Sequence, residues 1–226
     1  MVTVIYLIRH GETEGAEKKR YKGTIDVPLS GHGIMQMEQL SRYMAGLFKS
    51  STNSHPVTQK PRSADAGEFL SAVYCSDLQR SIRSAEIIAG PHALRPVLVP
   101  ALRERDFGVW EGMSFDEIKE KYPDEFDAWA DNPLQFSPVG GESTIEVRER
   151  VMNSLQEIIH RHQGEHVAVV AHGGVNRIII CHLLGIPLEN IFRIEQDYSA
   201  LNIFQYHTNC PVAQLINGTV HRREKT

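Results

Sequence analysis

Two short apolar runs, each ending at a histidine and a glycine, constrain the fold of this chain more than any other feature. Residues 2–8 and 167–171 are apolar and rich in β-branched side chains. Such runs are typical of strands buried on both faces of a parallel sheet. The first ends at Arg9-His10-Gly11 and the second at His172-Gly173. Ligand sites in open α/β sheets lie at the carboxyl ends of strands, so both histidines are candidates for one site.

Helical and strand patterns alternate along most of the remaining chain. Apolar spacing predicts a helix after Ser30, a helix at 78–89 capped by Ser76 or Asp77, two short helices within 114–132 broken at Pro123, and helices at 144–162 and 175–184. Further strands are predicted at 69–74, 97–99, 201–204 and 212–216, the last two as an edge hairpin, with a surface loop insertion at 49–67. This alternation predicts an α/β fold, a three-layer α/β/α sandwich with a mainly parallel central sheet and an antiparallel edge strand. At 226 residues, we expect a single domain spanning 1–226.

Arg80 and Glu104 are two further candidates for the site. Arg80 lies in the first turn of a predicted helix, where its charge opposes the helix dipole unless an anion binds nearby. A surface ion pair is the alternative for Arg80. Glu104 follows a predicted strand, and its arginine neighbours make an ion pair the alternative to a catalytic acid. The basic run at residues 18–22 either lines the pocket or forms a solvated surface.

The overall charge and the cysteine pattern argue against several classes of partner. A net charge of -4 and a pI near 6.3 argue against nucleic acid, so an anionic substrate must be met by a local cluster of positive charge. We expect no membrane partner, because no apolar segment approaches spanning length, and no signal peptide is evident. The 3 cysteines match no disulfide or metal pattern, which predicts a cytoplasmic protein. His160, His162 and His166 lack a completing ligand and are predicted to be surface histidines rather than a metal site.

The candidate side chains together have the chemistry that a phosphate ester requires. Arginines present forked donors to phosphate oxygens, and of two histidines one could attack phosphorus while the other binds the anion. Flanking arginines would keep His10 neutral and nucleophilic. A protonated Glu104 could donate to the leaving oxygen and then activate water as a base. No step needs a metal ion or another cofactor, and the chain has no GxxxxGK, GxGxxG, HExxH or GxSxG motif.

The stretch Leu7-Ile8-Arg9-His10-Gly11-Glu12-Thr13 resembles the signature of the histidine phosphatase superfamily, also called the phosphoglycerate mutase family. Further stretches match that family's pattern in the same order along the chain. They are Gly23-Thr24-Ile25-Asp26-Val27-Pro28-Leu29-Ser30, Cys75-Ser76-Asp77-Leu78-Gln79-Arg80, Leu102-Arg103-Glu104, Phe107-Gly108-Val109-Trp110-Glu111-Gly112, Gly140-Gly141-Glu142-Ser143 and Val169-Val170-Ala171-His172-Gly173. The resemblance covers most of the chain up to about residue 184 and implies a phosphoglycerate mutase-like fold.

The resemblance also implies roles for individual residues. It makes His10 the phosphorylated nucleophile and Glu104 the proton donor, with Arg9, Arg80 and His172 completing the catalytic set around the phosphate. The implied substrate-binding residues are Arg9, Thr13, Lys22, Gly23, Arg80, His172 and Gly173, with no metal and no cofactor. One departure concerns Ala16, which stands where family members usually carry an asparagine that would contact phosphate. Another group, for example from the adjacent basic loop, must then supply that hydrogen bond.

The stretch after Gly112 separates the subclasses that the resemblance suggests. Glycolytic mutases of this family carry a basic insertion there, whereas this chain has Met113-Ser114-Phe115-Asp116-Glu117-Ile118. This segment looks like the phosphatase branch, which includes α-ribazole phosphatases and fructose-2,6-bisphosphatase-like enzymes. The resemblance therefore implies a phosphomonoester hydrolase that acts through a phosphohistidine on small phosphorylated metabolites, with α-ribazole 5′-phosphate as the leading substrate. The alternatives are a phosphoglycerate mutase and a non-catalytic phosphate-binding module, and the oligomeric state stays open, a dimer included.

Overall fold

A six-stranded sheet lies between two layers of helices. The computed structural model describes residues 2–50, 69–207 and 210–219. Its strands are β1 Val2–Arg9, β2 Ala72–Cys75, β3 Val97–Leu98, β4 His166–Ala171, β5 Leu201–His207 and β6 Cys210–Gly218. Its α-helices are α1 Gly31–Ser50, α2 Gln79–Ala89, α3 Phe115–Lys121, α4 Pro123–Asp131, α5 Thr144–Arg161 and α6 Gly173–Leu184.

The sheet has the strand order β3-β2-β4-β1-β5-β6. The first four of these strands are parallel, while β5 runs antiparallel to both β1 and β6. The predicted α/β/α class is therefore confirmed, with one refinement: the antiparallel strand β5 lies one position in from the edge. The carboxyl ends of four parallel strands meet at one edge of the sheet, and the loops after them are brought together there.

Alternating side chains of β1 pack into two separate hydrophobic layers. Ile5 and Leu7 pack with the buried faces of α5 and α6 on one side of the sheet. Val4, Tyr6 and Ile8 pack with α1 and α2 on the other side. Truncation of one such fully buried aliphatic side chain to alanine typically costs about 2–5 kcal/mol. This packing holds the end of β1, and therefore the residues that follow it, in a fixed position.

The helix boundaries follow the local signals in the sequence. The Ser30 hydroxyl accepts the Gly33 N–H at 3.0 Å and so caps α1. Ser114 and Ser143 each form a capping box, which fixes the starts of α3 and α5. The predicted break at Pro123 is confirmed, because α4 begins there directly after α3.

The second predicted strand begins later than the sequence pattern indicates. β2 starts at Ala72 rather than at residue 69, and Phe69 is exposed. The physical reason is the length of its neighbour. Because β4 begins at His166, residues before Ser71 have no partner strand on that side, and the Ser71 N–H already bonds to the His166 carbonyl.

The helix after β2 is not capped by Ser76 or Asp77, so that prediction is wrong. Leu78 occupies the N-cap position and makes no side-chain cap. The Asp26 carboxylate accepts the first N–H of α2, at 2.7 Å, from a distant loop. Ser76 is instead hydrogen-bonded to His172, and Asp77 is held in an ion pair. Both of the predicted capping side chains are therefore engaged in tertiary contacts instead.

Smaller differences concern three other segments. The loop predicted at 49–67 lies outside the described residues except for its first two, which belong to α1. β3 covers Val97–Leu98 only, although the Val99 N–H still bonds to the Cys75 carbonyl at 2.8 Å. α6 begins at Gly173, two residues earlier than predicted. Within the described ranges, no helix combines the length and apolarity needed to cross a bilayer.

The histidines considered as metal ligands pair with other groups. His162 Nε2 lies 2.8 Å from the Tyr74 hydroxyl, and His166 Nδ1 lies 3.1 Å from the Tyr6 hydroxyl. The prediction of surface histidines holds for His160 but is wrong for the other two, which are half-buried because tyrosines of the sheet end beside them. In the part of the chain that the structure describes, no group of three or more His, Cys, Asp or Glu side chains is placed to hold a metal ion.

Candidate active site

The residues predicted to form the site lie around one cavity of about 300 Å³ at the carboxyl edge of the sheet. His10 and Arg9 follow or end β1, His172 follows β4, Arg80 lies in the first turn of α2, and Glu104 lies in the loop beyond β3. The predicted substrate-binding residues that share this lining are Thr13, Lys22, Gly23 and Gly173. Their positions come from segments far apart in sequence that parallel strands bring to the same edge.

His10 is buried and held in one orientation. Its backbone N–H bonds to the Ala171 carbonyl, and its carbonyl accepts the Ser199 N–H, both at 3.1 Å. Its ring Nδ1 lies 2.7 Å from the Gly11 carbonyl, which can only accept, so the ring proton resides on Nδ1. The lone pair is therefore on Nε2. Burial, followed by the charges of Arg80 and Arg9, holds the pKa of His10 well below its usual range, which agrees with the expected neutral nucleophile.

His172 faces His10 across the floor of the cavity. The two ring centroids are 5.1 Å apart in an edge-on arrangement. Its Nε2 lies 2.7 Å from the Ser76 hydroxyl, while its buried Nδ1 has no hydrogen-bond partner among the described residues. Burial is the largest cause that lowers the pKa of His172, and His10 and Arg80 lower it further. Both histidines are therefore neutral near pH 7.

We expect the two neutral histidines to make stability depend on pH. An unfolded histidine titrates near pH 6.5, whereas His10 and His172 resist protonation when folded. Below that pH the unfolded chain takes up protons that the folded chain does not, so the free energy of unfolding falls as pH falls, by up to about 1.4 kcal/mol per pH unit for each histidine. Urea unfolding between pH 7.5 and 5 measures this slope. His10→Gln removes one contribution and should make the slope shallower; parallel curves would contradict the expectation.

Two arginines flank the histidines, and each is fixed by backbone carbonyls. Arg80 is buried and donates to the Gly23 carbonyl at 2.6 Å and to the Ile25 carbonyl at 2.8 Å. It forms no ion pair among the described residues, so the alternative of a surface ion pair is wrong. Arg9 donates to the Gln196 carbonyl and lies 4.0 Å from the ring centroid of Tyr198. Its buried Nε has no partner in the described ranges.

The loop that holds Arg80 is itself ordered by Glu111. The Glu111 carboxylate accepts the backbone N–H of Thr24 at 2.8 Å and that of Phe107 at 3.1 Å. A Cβ at Gly23 would lie only 2.1 Å from Glu111 Oε1 and 2.4 Å from a backbone carbonyl, so glycine is required for this close approach. The Gly23 carbonyl thereby reaches Arg80. Glu111 therefore acts indirectly, through this loop, on the position of Arg80 in the cavity.

Glu104 is oriented by backbone groups rather than by an arginine. Its Oε2 accepts the Gly174 N–H at 2.9 Å, and its Oε1 accepts the Arg105 N–H at 3.0 Å. A Cβ at Gly174 would lie 2.6 Å from Glu104 Oε1, which explains the second glycine after His172. The ion-pair alternative for Glu104 is therefore wrong within the described residues. Its carboxyl group lies at the amino end of α6 and lines the same cavity as His10 and His172.

The motif Gly140-Gly141-Glu142-Ser143 supports Glu104 from behind. Glu142 pairs with Arg150 at 2.7 Å. Arg150 also donates to the carbonyls of Ala101 and Arg103, at 2.7 and 2.8 Å, and to that of Glu104 at 3.2 Å. This ion pair fixes the backbone on which Glu104 is carried.

The basic run after the first motif forms part of the cavity wall. Lys19, Arg20 and Lys22 line the cavity, as does Ala16. Of the two alternatives for this run, the pocket wall is therefore correct for these residues. Lys22 Nζ donates to Thr13 Oγ1 at 3.2 Å and to the Glu14 carbonyl. Lys22 is therefore a cationic group in the same cavity wall as Ala16.

Sequence patterns missed several residues that line or support the cavity. Tyr198 and Gln196 lie outside the predicted elements, and their contribution depends on how the segment before β5 folds back over β1. Arg177 lies in the helix predicted at 175–184, but no pattern assigned it to the site. Ser76 carried a signal, its place just after a strand, but was interpreted as a helix cap. The helical pattern of residues 114–132 indicates a packing role for Trp129 rather than a binding role. It does pack, at 5.6 Å from Phe126 between ring centroids, and it also lines the cavity.

A buried neutral histidine among two arginines, a second histidine and a carboxyl group, at the carboxyl edge of a mainly parallel sheet, defines an α/β protein with a phosphate-binding site. The family model of the histidine phosphatase superfamily (branch 1) matches residues 5–52 and 62–219. This chain therefore belongs to the histidine phosphatase superfamily, and the predicted enzyme class, a phosphatase, is confirmed at that level.

Relatives in other organisms agree with this assignment. The chain is 30% identical to phosphoserine phosphatase 1 of Hydrogenobacter thermophilus, over 99% of this chain and 96% of the relative. It is 26% identical to the adenosylcobalamin/α-ribazole phosphatase of Escherichia coli, over 89% of this chain and 90% of the relative. The solved structure of Bacillus stearothermophilus YhfR has a TM-score of 0.76 and 27% identity, covering 93% of this chain and 95% of that one.

Proposed function

We propose that residues 1–226 act as one domain that hydrolyses phosphate monoesters through a phosphohistidine at His10. The observation that carries the proposal is the state of the His10 ring. It is buried and neutral, its Nδ1 proton is held by the Gly11 carbonyl, and its Nε2 lone pair is left for attack. We propose the five residues His10, Glu104, Arg9, Arg80 and His172 as the catalytic set.

In the first step, His10 Nε2 attacks phosphorus while the bond from phosphorus to the ester oxygen breaks. The charge on the equatorial oxygens is met by Arg9, Arg80 and His172. The unpartnered Arg9 Nε and His172 Nδ1 are buried donors that a phosphate oxygen would satisfy. For His172 this requires the Ser76 hydroxyl to donate to Nε2, which places the ring proton on Nδ1. A protonated Glu104 transfers its proton to the departing alkoxide, so an alcohol leaves.

In the second step, water replaces the alcohol. Glu104, now a carboxylate, takes a proton from the water as its oxygen attacks the phosphohistidine. The bond from His10 Nε2 to phosphorus breaks, which releases inorganic phosphate and restores both starting groups. No electron transfer and no co-reactant other than water is required. The backbone N–H groups that fix Glu104 keep the carboxyl group in one place through both steps.

Lys22 is proposed to supply the contact that Ala16 lacks. Lys22 Nζ is already directed to Thr13 and the Glu14 carbonyl on the cavity wall. A phosphate oxygen could accept a hydrogen bond from one of the three N–H groups of this ammonium. Thr13 would bind the same phosphate group through its hydroxyl. Gly23 and Gly173 would bind it through the close approach of their backbone. With alanine in place of asparagine at position 16, the charged Lys22 would then replace a neutral amide as the hydrogen-bond donor.

The substrate is proposed to be a small phosphorylated metabolite in the cytoplasm, with α-ribazole 5′-phosphate as the leading candidate. The names of two relatives support this range, since one is a phosphoserine phosphatase and the other an α-ribazole phosphatase. The cavity of about 300 Å³ is within the range of small-molecule sites. Because the lining holds many cations, we expect a dianionic phosphate monoester rather than a diester, which carries a single negative charge.

The function is tested by phosphate release from a panel that includes α-ribazole 5′-phosphate, phosphoserine and 3-phosphoglycerate, with and without excess EDTA. We expect release of inorganic phosphate at rates that EDTA does not change. In parallel, 3-phosphoglycerate with a bisphosphoglycerate primer tests mutase activity. Rapid interconversion of phosphoglycerates without phosphate release would show a mutase, and binding of phosphate without any turnover would show a non-catalytic module.

A further inference from the structure

The cavity has two chemically different ends. Its inner end carries the histidines, the arginines and Glu104. The lining also contains a set of aromatic and aliphatic side chains, called the outer wall here, which are Tyr21, Phe107, Trp129, Ile178, Ile191 and Phe192. Both tryptophans of the chain line this single cavity, Trp110 as well as Trp129. A phosphate alone would use only the inner end.

The aromatic side chains of the outer wall come from four separate segments, and three of them pack against another aromatic ring. Tyr21 and Phe107 pack at 4.7 Å between ring centroids. Trp129 on α4 is backed by Phe126 at 5.6 Å. Phe192 lies in the short 3-10 helix Leu188–Arg193 and is 65% exposed. An exposed phenyl ring at the mouth of a site is stabilised when a bound apolar group covers it.

The charges of the lining disfavour a substrate with a positive alcohol portion. Among the described residues that line the cavity, Glu104 is the only carboxylate, and its two oxygens are already bonded to backbone N–H groups. The cationic lining residues include Lys19 and Arg177 in addition to the phosphate-binding arginines. An alcohol portion whose only charge is an ammonium group, such as that of phosphoethanolamine, would have no acidic partner here and would be repelled by its neighbours.

We infer that this site selects phosphate monoesters whose alcohol portion carries an aromatic ring, which packs on Phe192 and Trp129. The inference rests on the proposed function and adds the substrate class to it. α-Ribazole 5′-phosphate, a benzimidazole on a ribose, falls within this class, and phosphoserine does not. Phe192 and Trp129 are specificity-determining residues for the alcohol portion, and neither takes part in phosphoryl transfer.

The test compares 2-phenylethyl phosphate with propyl phosphate. Both release a primary aliphatic alcohol, so the leaving groups are of similar acidity and the chemical step is matched. We expect kcat/KM to be about tenfold higher for the phenyl ester, because offset or edge-on ring contacts and burial of the ring favour it. Phosphoethanolamine should be a poorer substrate than propyl phosphate, because its ammonium group finds no acidic partner.

Phe192→Ala and Trp129→Ala should each lower the ratio of the two kcat/KM values about threefold or more. Phe69→Ala is the matched control, since Phe69 is 62% exposed and lies before the amino end of β2, away from the cavity. Its ratio should equal that of the wild type. Because the Phe192 side chain is mostly exposed, Phe192→Ala should leave the hydrophobic core intact. The test therefore still works with this variant if Trp129→Ala does not fold.

The possible outcomes separate this inference from the proposed function. Hydrolysis of both esters with equal kcat/KM would overturn the selection for aromatic substrates while the phosphatase function stands. An equal fall of the ratio in Phe69→Ala and Phe192→Ala would also overturn it. Hydrolysis of neither ester, nor of any member of the wider panel, would overturn the proposed function as well.

Discussion

Replacement of His10 by alanine is expected to abolish phosphate release, with a fall in kcat/KM of about four orders of magnitude or more. The reason is that His10 Nε2 would form the bond to phosphorus, and the described cavity offers no other neutral imidazole in the same orientation. His172 cannot substitute, because its Nε2 is engaged by Ser76. Rates measured with an alkyl phosphate monoester, over a long incubation, determine the size of the loss.

The control for this variant is His160→Ala, which removes an exposed histidine near the end of α5 and should retain wild-type kcat/KM. A second measurement follows the intermediate directly. Brief reaction with a ³²P-labelled ester and denaturation in base should leave an acid-labile, base-stable label on the wild type and none on His10→Ala. A variant that kept full activity, or a label that persisted in it, would rule out His10 as the nucleophile.

Glu104→Gln is expected to cause the second largest loss, about 10²–10⁴-fold in kcat/KM for alkyl phosphates. A glutamine can keep the acceptor contact to the Gly174 N–H but has no acidic proton to give to the leaving oxygen. The loss should be much smaller for 4-nitrophenyl phosphate, because nitrophenolate leaves without protonation. The ratio of rates for an alkyl ester and the nitrophenyl ester therefore reports the proton transfer itself.

Glu149→Gln serves as the matched control for Glu104→Gln, since it makes the same chemical change at an exposed position of α5. It should leave both rates and their ratio unchanged. Equal losses for alkyl and nitrophenyl esters in Glu104→Gln would show that the side chain positions the substrate rather than donating a proton. Thermal unfolding of each variant separates an effect on folding from one on chemistry.

Much of the site could be predicted because each of its main residues sits beside a strong local signal. His10 and His172 follow unmistakable buried strands, and Arg80 follows a strand end at the start of a helix. Such signals depend only on the types of a few neighbouring residues, and these can be read directly from the sequence. Parallel strands then bring the signals together without any knowledge of individual contacts.

The residues that were missed depend on contacts between distant segments. Tyr198 packs on Arg9 only because the chain before β5 folds back over β1, and Asp26 caps α2 from a loop more than fifty residues away. Ser76 was assigned to a local cap, but a buried histidine 96 positions along the chain claims its hydroxyl. In each case the partner comes from a segment that is distant in the sequence, so the residues near it in the chain do not predict the contact.

The sequence by itself determined the α/β class, the order of the main elements, and the residues at the inner end of the cavity, because strand burial and helix capping are local consequences of side-chain type. Only the tertiary structure decided which nitrogen of His10 carries the ring proton, the backbone contacts that orient Glu104, and the aromatic outer wall with Trp129 and Phe192. These depend on burial and on distances between segments far apart in sequence. Periodicity in the sequence shows which face of a helix is apolar, but not which segment packs against that face. The contacts that shape this site are of this second kind, between segments far apart in the chain.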